Sequence, residues 1–390
     1  MKKIYLAVFL ACSIGGAVHA QESVGRLPWT MSLQNAELRD QAVSKVSFVR
    51  PDYAQYLKQD EADAKAGVAK PYRVAPTLAS NIDMTAGTWS YLSNGSRIWR
   101  LAIHVPDAKA MSFNYDQFHL PEGVHFYLKN ENGKQLLGAY SIINNNEWHK
   151  FAHQEVQGET IYLEMDIDAG VDISAIQLHI DKVYPYYRGA GMVNELYADA
   201  TTGETQLKPT DALSPCHIDA NCPDGNGASF AKAKSATVQI NMGGAVCSGT
   251  LINNTANTAG GTCKPYILTA SHCDDNNARD DANFINWVFT FNYQYTTCGG
   301  SVLDNASSRT GAHFRAPSNN PSMPTPNNAL VSDFLLLELL APPQAAANVH
   351  YAGWNRNSNI FEDPDYYTKF IGFHHPGGDR KKLAVSLEVD

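Results

Sequence analysis

His272 is the residue whose type and setting best suit acid–base chemistry. It follows an apolar stretch, residues 266–268, and three small residues, and it is next to Cys273. A second cysteine, Cys247, opens the preceding predicted strand. A general base must be held in place and partly shielded, with one ring nitrogen free for a nucleophile. A strand end beside a disulfide provides that setting, although a histidine beside a cysteine is more often structural or a metal ligand.

Asp333 strengthens the hypothesis for His272. It precedes an almost wholly apolar stretch, residues 334–340, which predicts a strand buried on both sides. A carboxylate that enters such a strand must be hydrogen-bonded, because burying it unpaired is costly. An imidazole N–H is a suitable partner, and orienting the imidazole is the role of Asp in a Ser-His-Asp triad. The alternative is a solvated Asp333 that caps the strand with Ser332. Glu338 is expected to be a surface or edge charge.

Length and composition indicate two folded units rich in β structure. The chain has 390 residues, more than one ordinary domain, and 44% of them are hydrophobic. It has 28 Gly, 19 Pro and 19 Tyr but only 18% charged residues, which favours turn-rich β structure. The net charge of -9 argues against nucleic acid or an anionic membrane as a partner. No apolar run long enough to span a membrane follows the N-terminus.

The chain divides into five predicted regions. Residues 1–20 have the lysines, the short apolar core and the small cleavage residues of an export signal; a buried helix or a lipoprotein signal at Cys12 is a weaker alternative. Residues 21–84 form a leader arm with modest helix. Residues 85–187 alternate with period two, which predicts an antiparallel β-sandwich whose aromatic rings belong to its core. Residues 188–210 are a breaker-rich linker or processing region, and residues 211–390 form the last unit.

Five segments of the last unit carry a specific resemblance: CSGTLINNT, YILTASHC, SDFLLLEL, YAGWNR and FHHPGGDRKK. Together with CPDGN, which begins at Cys222, they resemble the secreted bacterial lysyl endopeptidases, a branch of the trypsin-like serine proteases. The order His272 then Asp333 follows the His, Asp, Ser order of that branch. The resemblance implies an incomplete chymotrypsin-like β-barrel with His272 as base and Asp333 as its orienter. It also implies that the β-sandwich is a propeptide.

The nucleophile that this resemblance implies is absent from the sequence. It should be a serine in a glycine-flanked turn downstream of Asp333, where backbone N–H groups form an oxyanion hole. Ser386 lies between Val385 and Leu387, and Ser248 lies upstream in a structural strand. We therefore expect a C-terminally truncated protease domain that is inactive as given. No residue of this sequence supports a preference for cleavage after lysine. The peptide bond between Lys208 and Pro209 is a poor site for self-cleavage after lysine.

The cysteines remaining after signal removal are expected to form disulfides before they bind metal. The resemblance implies the pairs Cys247–Cys273 and Cys222–Cys298. Two more cysteines, Cys216 and Cys263, are either unpaired or bonded to each other. The oxidising compartment and the spacing of Cys263, His272 and Cys273 both argue against a zinc site formed by these residues. We expect no metal and no cofactor: the acidic loop 274–281 lacks the spacing of a calcium hand and is expected to be solvated, and the pair at 374–375 is structural.

Two hypotheses of different class follow. The first is a precursor of an exported serine endopeptidase, monomeric and without a cofactor, that hydrolyses protein or peptide substrates. The alternative is a non-catalytic exported β-sandwich binding protein with a degenerate protease barrel. A reading frame that continues past Asp390 into a GxSG motif favours the first, and a true stop with a stably folded product favours the second.

Overall fold

The computed structural model describes residues 25–32, 38, 41–68, 70–188, 217–225, 227–255, 264–274, 279–300, 302, 304, 306–318, 333–355 and 370–386. The predicted export signal, nearly all of the predicted linker, Cys216 and Cys263 lie outside these ranges. Strands dominate both halves, so the chain is all-β, as predicted. Among the described residues, no helix has the length and apolarity needed to cross a membrane.

All the strands of the N-terminal half except β2 build two sheets. The strands of this half are β1 (Lys45–Ser47), β2 (Tyr72–Arg73), β3 (Leu78–Asp83), β4 (Thr88–Tyr91), β5 (Arg97–His104), β6 (Ala110–His119), β7 (Val124–Asn130), β8 (Leu136–Tyr140), β9 (Phe151–Ala152), β10 (Val156–Gln157), β11 (Thr160–Ile167) and β12 (Gln177–Tyr186). One sheet has the order β1-β5-β11-β7-β8, with β4 beside β5, and the other has the order β10-β6-β12-β3, with β9 beside β6. All of these pairs are antiparallel except β1 with β5, which is parallel.

The two sheets share one hydrophobic core, because their alternate side chains point inward. Trp99, Phe113, Tyr115 and Phe126 are fully buried in it. The aromatic rings of the alternating patterns therefore fill the interior and do not form an exposed platform. The region predicted as a leader arm, residues 21–84, contributes β1 and β3 to these sheets.

The described helices are few and short. They are α1 (Tyr53–Lys65), α2 (Ala228–Ala236) and α3 (Asp281–Phe284), with 3-10 turns at Trp29–Met31, Met84–Ala86, Ile142–Asn144, Ile173–Ala175, Pro223–Gly225, Ser271–Cys273, Ala345–Ala347 and Pro376–Gly378. Helix α1 begins after Asp52, whose side chain accepts a hydrogen bond from the backbone N–H of Gln55 and so caps the first turn.

The C-terminal half has one large sheet and one small one. Its strands are β13 (Ile218–Asp219), β14 (Thr237–Asn241), β15 (Ala245–Ile252), β16 (Tyr266–Thr269), β17 (Val288–Phe291), β18 (Ser307–Thr310), β19 (Ala312–Pro317), β20 (Leu335–Leu339), β21 (Phe370–His374) and β22 (Lys382–Ser386). The large antiparallel sheet has the order β18-β17-β14-β15-β16-β20-β19 and curls into a half-barrel. The small sheet has the order β13-β22-β21.

The half-barrel encloses its own core of aliphatic and aromatic side chains from β14, β16, β17 and β20, including Ile240, Ile267, Phe289 and Leu337. The strand predicted over residues 334–340 is β20, one residue shorter at each end. It lies between β16 and β19, which is why its sequence is so apolar. The half-barrel also includes one strand from the N-terminal half, because β2 pairs with β15.

Candidate active site

His272 and Asp333 come together because β16 and β20 are antiparallel neighbours. Thr269 at the end of β16 lies opposite Leu335 at the start of β20. His272 is three residues beyond Thr269, in the 3-10 turn that follows β16, and Asp333 is two residues before Leu335. The pairing of two strands therefore places residues 61 positions apart in the sequence in direct contact.

The contact between the two side chains is a short hydrogen bond. His272 Nδ1 lies 2.6 Å from Asp333 Oδ2. Asp333 Oδ1 accepts two more bonds, from the backbone N–H of His272 at 3.1 Å and from Ser271 Oγ at 2.7 Å. Ser318 Oγ in turn donates to Ser271 Oγ at 3.1 Å. The carboxylate is thus held by three donors, and both of its oxygens are engaged.

The charge on Asp333 fixes the protonation pattern of the imidazole. Burial would raise the pKa of Asp333, but the hydrogen bonds from His272 and Ser271 outweigh it and lower the pKa below its ordinary value. An ionised carboxylate only accepts hydrogen bonds, so His272 Nδ1 must carry the proton. In a neutral imidazole this leaves the lone pair on Nε2. The His272 side chain is 30% exposed, so Nε2 can act as a proton acceptor.

A disulfide attaches the histidine turn to the neighbouring strand. Cys273 follows His272 and is bonded to Cys247 on β15, with the two Cα atoms 6.3 Å apart. Thr269 Oγ1 adds a hydrogen bond to the Ser248 carbonyl at 2.8 Å. These links restrain the backbone on both sides of His272, which is the setting predicted from the sequence.

A second disulfide joins Cys222 to Cys298, with a Cα–Cα distance of 4.4 Å. The two pairs suit an oxidising, extracytoplasmic compartment. Within the described part of the chain, one group of three potential metal ligands lies close together, namely Cys247, His272 and Cys273. The disulfide consumes both sulfurs as thiolates, so this group lacks the donor set of a zinc site. The alternative set with Cys263 falls outside the described residues.

Neither serine weighed as a nucleophile is placed for that role. Ser248 Oγ accepts a hydrogen bond from the backbone N–H of His375 at 2.8 Å, so it links β15 to the segment after β21. Ser386 pairs with Phe370 in the small sheet. Among the described residues, no side chain is hydrogen-bonded to Nε2 of His272.

The described residues of the acidic loop, and the histidine pair, are engaged in local structure. Asp274, predicted to be solvated, is buried and accepts from Asn283 Nδ2 at 2.9 Å. Asp280 caps α3, and Asp281 accepts from His313 Nδ1 at 2.8 Å. In the histidine pair, burial lowers the pKa of His375 well below its usual range.

The prediction that Glu338 is a surface or edge charge was wrong. Its side chain is only 10% exposed. Lys264 Nζ lies 2.7 Å from Oε1, and Arg315 Nε lies 2.8 Å from Oε2. Burial favours the neutral acid, but these two cations outweigh it and lower the pKa of Glu338. Because the partners come from β19 and from the segment before β16, no local pattern in the sequence reveals them.

Sequence reasoning also missed Ser271 and Ser318. Ser271 directly precedes His272, so its position next to the candidate base could have indicated that it also binds Asp333. Ser318 follows β19 and reaches Ser271 only through the pairing of β19 with β20. Both residues extend the network that positions Asp333.

The C-terminal half matches a known family. The family model described as lysyl endopeptidase, C-terminal domain, matches residues 211–389. The matched range includes His272, Asp333 and both disulfides. Lysyl endopeptidases are proteases, so the match implies peptide substrates.

Proposed function

Because residues 211–389 belong to the lysyl endopeptidase family, we propose that the chain is the precursor of an exported serine endopeptidase. The N-terminal β-sandwich is its propeptide, and residues 188–210 contain the processing region. His272 is the general base, and Asp333 orients its imidazole. Protein or peptide chains are the substrates. The nucleophile is a serine, and neither Ser248 nor Ser386 is placed for that role.

The observation that carries the proposal is the hydrogen bond from His272 Nδ1 to Asp333 Oδ2 at 2.6 Å. It presents Nε2 as the free acceptor, and the lowered pKa of Asp333 keeps that carboxylate ionised at neutral pH. An ionised carboxylate stabilises the imidazolium that forms when Nε2 takes a proton.

The reaction follows from these roles. Nε2 removes the proton of the serine hydroxyl as its oxygen attacks the peptide carbonyl carbon. The imidazolium then gives that proton to the departing amine, and an acyl-enzyme remains. Water attacks the acyl carbon while Nε2 takes a proton from it. The imidazolium then returns this proton to the serine oxygen as the acid product leaves, which restores the serine hydroxyl and the neutral imidazole. Asp333 stays ionised through both halves and donates no proton.

The test uses a form extended by the residues encoded after Asp390, assayed on a denatured protein and on lysyl peptides. If the added segment carries a GxSG serine, we expect hydrolysis. His272→Ala should then reduce kcat by about 10⁶-fold, and Asp333→Ala by about 10⁴-fold. His350→Ala is the matched control, because His350 Nδ1 lies 2.9 Å from Ser235 Oγ and is not part of the network of His272 and Asp333.

Two results would contradict the proposal. One is hydrolysis that His272→Ala leaves undiminished. The other is a stop codon directly after Asp390 together with a stably folded, inert product, which would favour the non-catalytic binding protein.

A further inference from the structure

Two histidine rings lie side by side on the surface of the β-sandwich. The ring centres of His119 and His149 are 5.3 Å apart, and the ring planes are inclined by 27°. His119 is the last residue of β6, and His149 lies in the loop before β9. His119 is half-buried and His149 is exposed. The pair is therefore accessible to an ion from solution.

Backbone hydrogen bonds hold the two residues beside each other. The backbone N–H of Phe118 donates to the His149 carbonyl at 2.7 Å, and the backbone N–H of His149 donates to the Asn146 carbonyl at 3.1 Å. Asn146 Oδ1 also accepts from the backbone N–H of Trp148 at 3.1 Å. His149 has a φ of +51°, which a non-glycine residue rarely adopts. The loop thus keeps the His149 backbone in an uncommon conformation, with its ring next to His119.

A glutamine decides which nitrogen of His149 carries a proton. Gln177, the first residue of β12, lies opposite His119 in the pairing of β6 with β12. Its Oε1 lies 3.1 Å from His149 Nδ1, so Nδ1 carries the proton and donates it to this bond. In a neutral ring the lone pair is then on Nε2. A carbonyl oxygen that accepts from the far nitrogen is a common outer partner of a histidine that ligates a metal.

The separation of the two rings matches that of two imidazoles on one metal ion. A zinc–nitrogen bond is about 2.1 Å long and the ring centre lies about 1.2 Å behind the nitrogen, so each centre is about 3.3 Å from the ion. At a tetrahedral angle, two such centres are about 5.4 Å apart. The observed 5.3 Å fits this value. The rings therefore already have the spacing that a shared ion requires.

Within the described ranges, no third histidine, cysteine or carboxylate is close enough to complete a set of three ligands with this pair. His179, two residues after Gln177 on β12, has both ring nitrogens engaged. Its Nδ1 contacts the Asp116 carboxylate, and its Nε2 lies 2.8 Å from Asn81 Oδ1. A tetrahedral ion held by the pair would thus have two positions open to water.

The loop that carries His149 also reaches the C-terminal half. The ring of Trp148 lies edge-on to the ring of His313 on β19, with the centres 5.6 Å apart. A ligand that restrains His149 therefore also restrains a residue of the contact between the two units.

We propose that His119 and His149 form a binding site for a divalent transition-metal ion, best suited to zinc, and that Gln177 positions His149 for it. Imidazole nitrogens suit zinc, copper and nickel, whereas calcium and magnesium take oxygen ligands. The ion joins the loop before β9 to the end of β6. The expectation of no metal rested on other residues, because His119 and His149 form no spaced motif. The site does not involve His272 or Asp333, so it is independent of the proposed function.

The test titrates zinc chloride into the full chain by calorimetry, after alkylation of any free thiol. We expect a site with a Kd of about 10–100 µM, because the protein supplies two ligands and not the four of a structural zinc site. In ¹⁵N NMR spectra of the imidazoles, zinc at this concentration should shift the ring nitrogens of both His119 and His149. The ring nitrogens of His179 should not shift.

Three variants examine the ligands and their partner. His119→Ala and His149→Asn each remove one ligand and should weaken zinc binding by at least about tenfold; asparagine is chosen at 149 because it tolerates a positive φ. Gln177→Ala leaves both ligands in place and should weaken zinc binding by about tenfold. His179→Ala is the matched control, because it removes a histidine of the same sheet that is already paired.

Thermal unfolding gives a second measurement. Zinc should raise the Tm of the wild type and of His179→Ala, because an ion that binds only the folded chain stabilises it. It should not raise the Tm of His119→Ala or His149→Asn. The Tm of each variant in EDTA shows that the variant is folded.

Three outcomes overturn the inference. The first is the absence of any zinc site tighter than about 1 mM in the wild type. The second is zinc binding that His119→Ala and His149→Asn leave unchanged, or that His179→Ala weakens equally. The third is a zinc-induced shift of only one of the two rings, or of neither, in the wild-type NMR spectra, which decide the matter even if a variant fails to fold.

Discussion

Asp333 shows how far single residues can be read from a sequence. Its place at the head of an apolar stretch predicted a desolvated carboxylate that needs a donor, and His272 is a donor at 2.6 Å. The other donors, Ser271 and the backbone N–H of His272, belong to a turn whose geometry no periodicity describes. Residue type and hydrophobic context thus indicated the pair, while the full set of partners depended on the fold.

Glu338 shows the opposite case, because a charge in an apolar strand gave no sign of its partners. Glu338→Gln removes the negative charge between Lys264 and Arg315. We expect a loss of about 1–2 kcal/mol in the free energy of unfolding at pH 7. Because the pKa of Glu338 is lowered in the folded chain, the extra stability of the wild type over Glu338→Gln is present above the ordinary pKa of 4.5. It disappears as the pH falls through the pKa of Glu338 in the folded chain.

Urea denaturation at pH 7 and pH 3 measures this difference. Glu61→Gln on α1 is the control, since Glu61 is exposed, and it should change stability little at either pH. An equal loss for Glu338→Gln at both pH values would show that packing, and not charge, accounts for the effect.

At the scale of elements, alternation found the long strands and missed the short ones. Strands β5, β6, β7 and β11 were evident because each has several inward residues at period two. Strand β2 has two residues and pairs with β15, more than 170 positions away. Two residues contain no period, so its partner is decided by tertiary contacts alone. The candidate base follows β16, whose apolar run was sufficient to predict it.

The disulfides constrain these elements to different extents. The Cys222–Cys298 pair spans 76 residues and the Cys247–Cys273 pair spans 26. By chain entropy, replacing the longer pair with serines should cost about 4 kcal/mol of stability and the shorter pair about 3 kcal/mol. Denaturant unfolding of the two double variants under non-reducing conditions measures the losses. A larger loss for the shorter pair would mean that its main effect is on the folded turn at His272.

At the scale of the whole molecule, the sequence predicted an all-β chain with a sandwich followed by part of a barrel. It did not predict how the two units meet. Asn241 at the end of β14 donates to Glu155 at 3.1 Å and to the Tyr186 hydroxyl at 2.8 Å, so a polar contact joins the half-barrel to the sandwich. The sequence around Asn241, Glu155 and Tyr186 gives no indication of this contact.

Glu155 makes this junction sensitive to pH. The side chain is buried, and burial raises the pKa of Glu155 above its ordinary value of 4.5. Well below pH 4.5 the Glu155 carboxyl is protonated in both the folded and the unfolded chain, so it does not affect the free energy of unfolding. As the pH rises, the unfolded chain releases the proton freely, whereas the folded chain must keep it or bury a charge. The free energy of unfolding therefore falls. Glu155→Gln should therefore stabilise the chain at pH 8 relative to pH 4.

Urea midpoints at the two pH values check this expectation, with the exposed Glu122→Gln as control. The gain of Glu155→Gln over wild type should be larger at pH 8 than at pH 4. A gain that is the same at both values would mean that Glu155 does not titrate abnormally in the folded chain.

The most direct measurement of the central claim is ¹⁵N NMR of the imidazole of His272 in the full chain at a pH where the ring is neutral. A base oriented by Asp333 must carry its proton on Nδ1, with Nε2 unprotonated. Asp333→Asn should shift the proton toward Nε2, since an amide can donate to Nδ1. A wild-type ring protonated on Nε2, or a ring whose tautomer does not change in Asp333→Asn, would contradict the account.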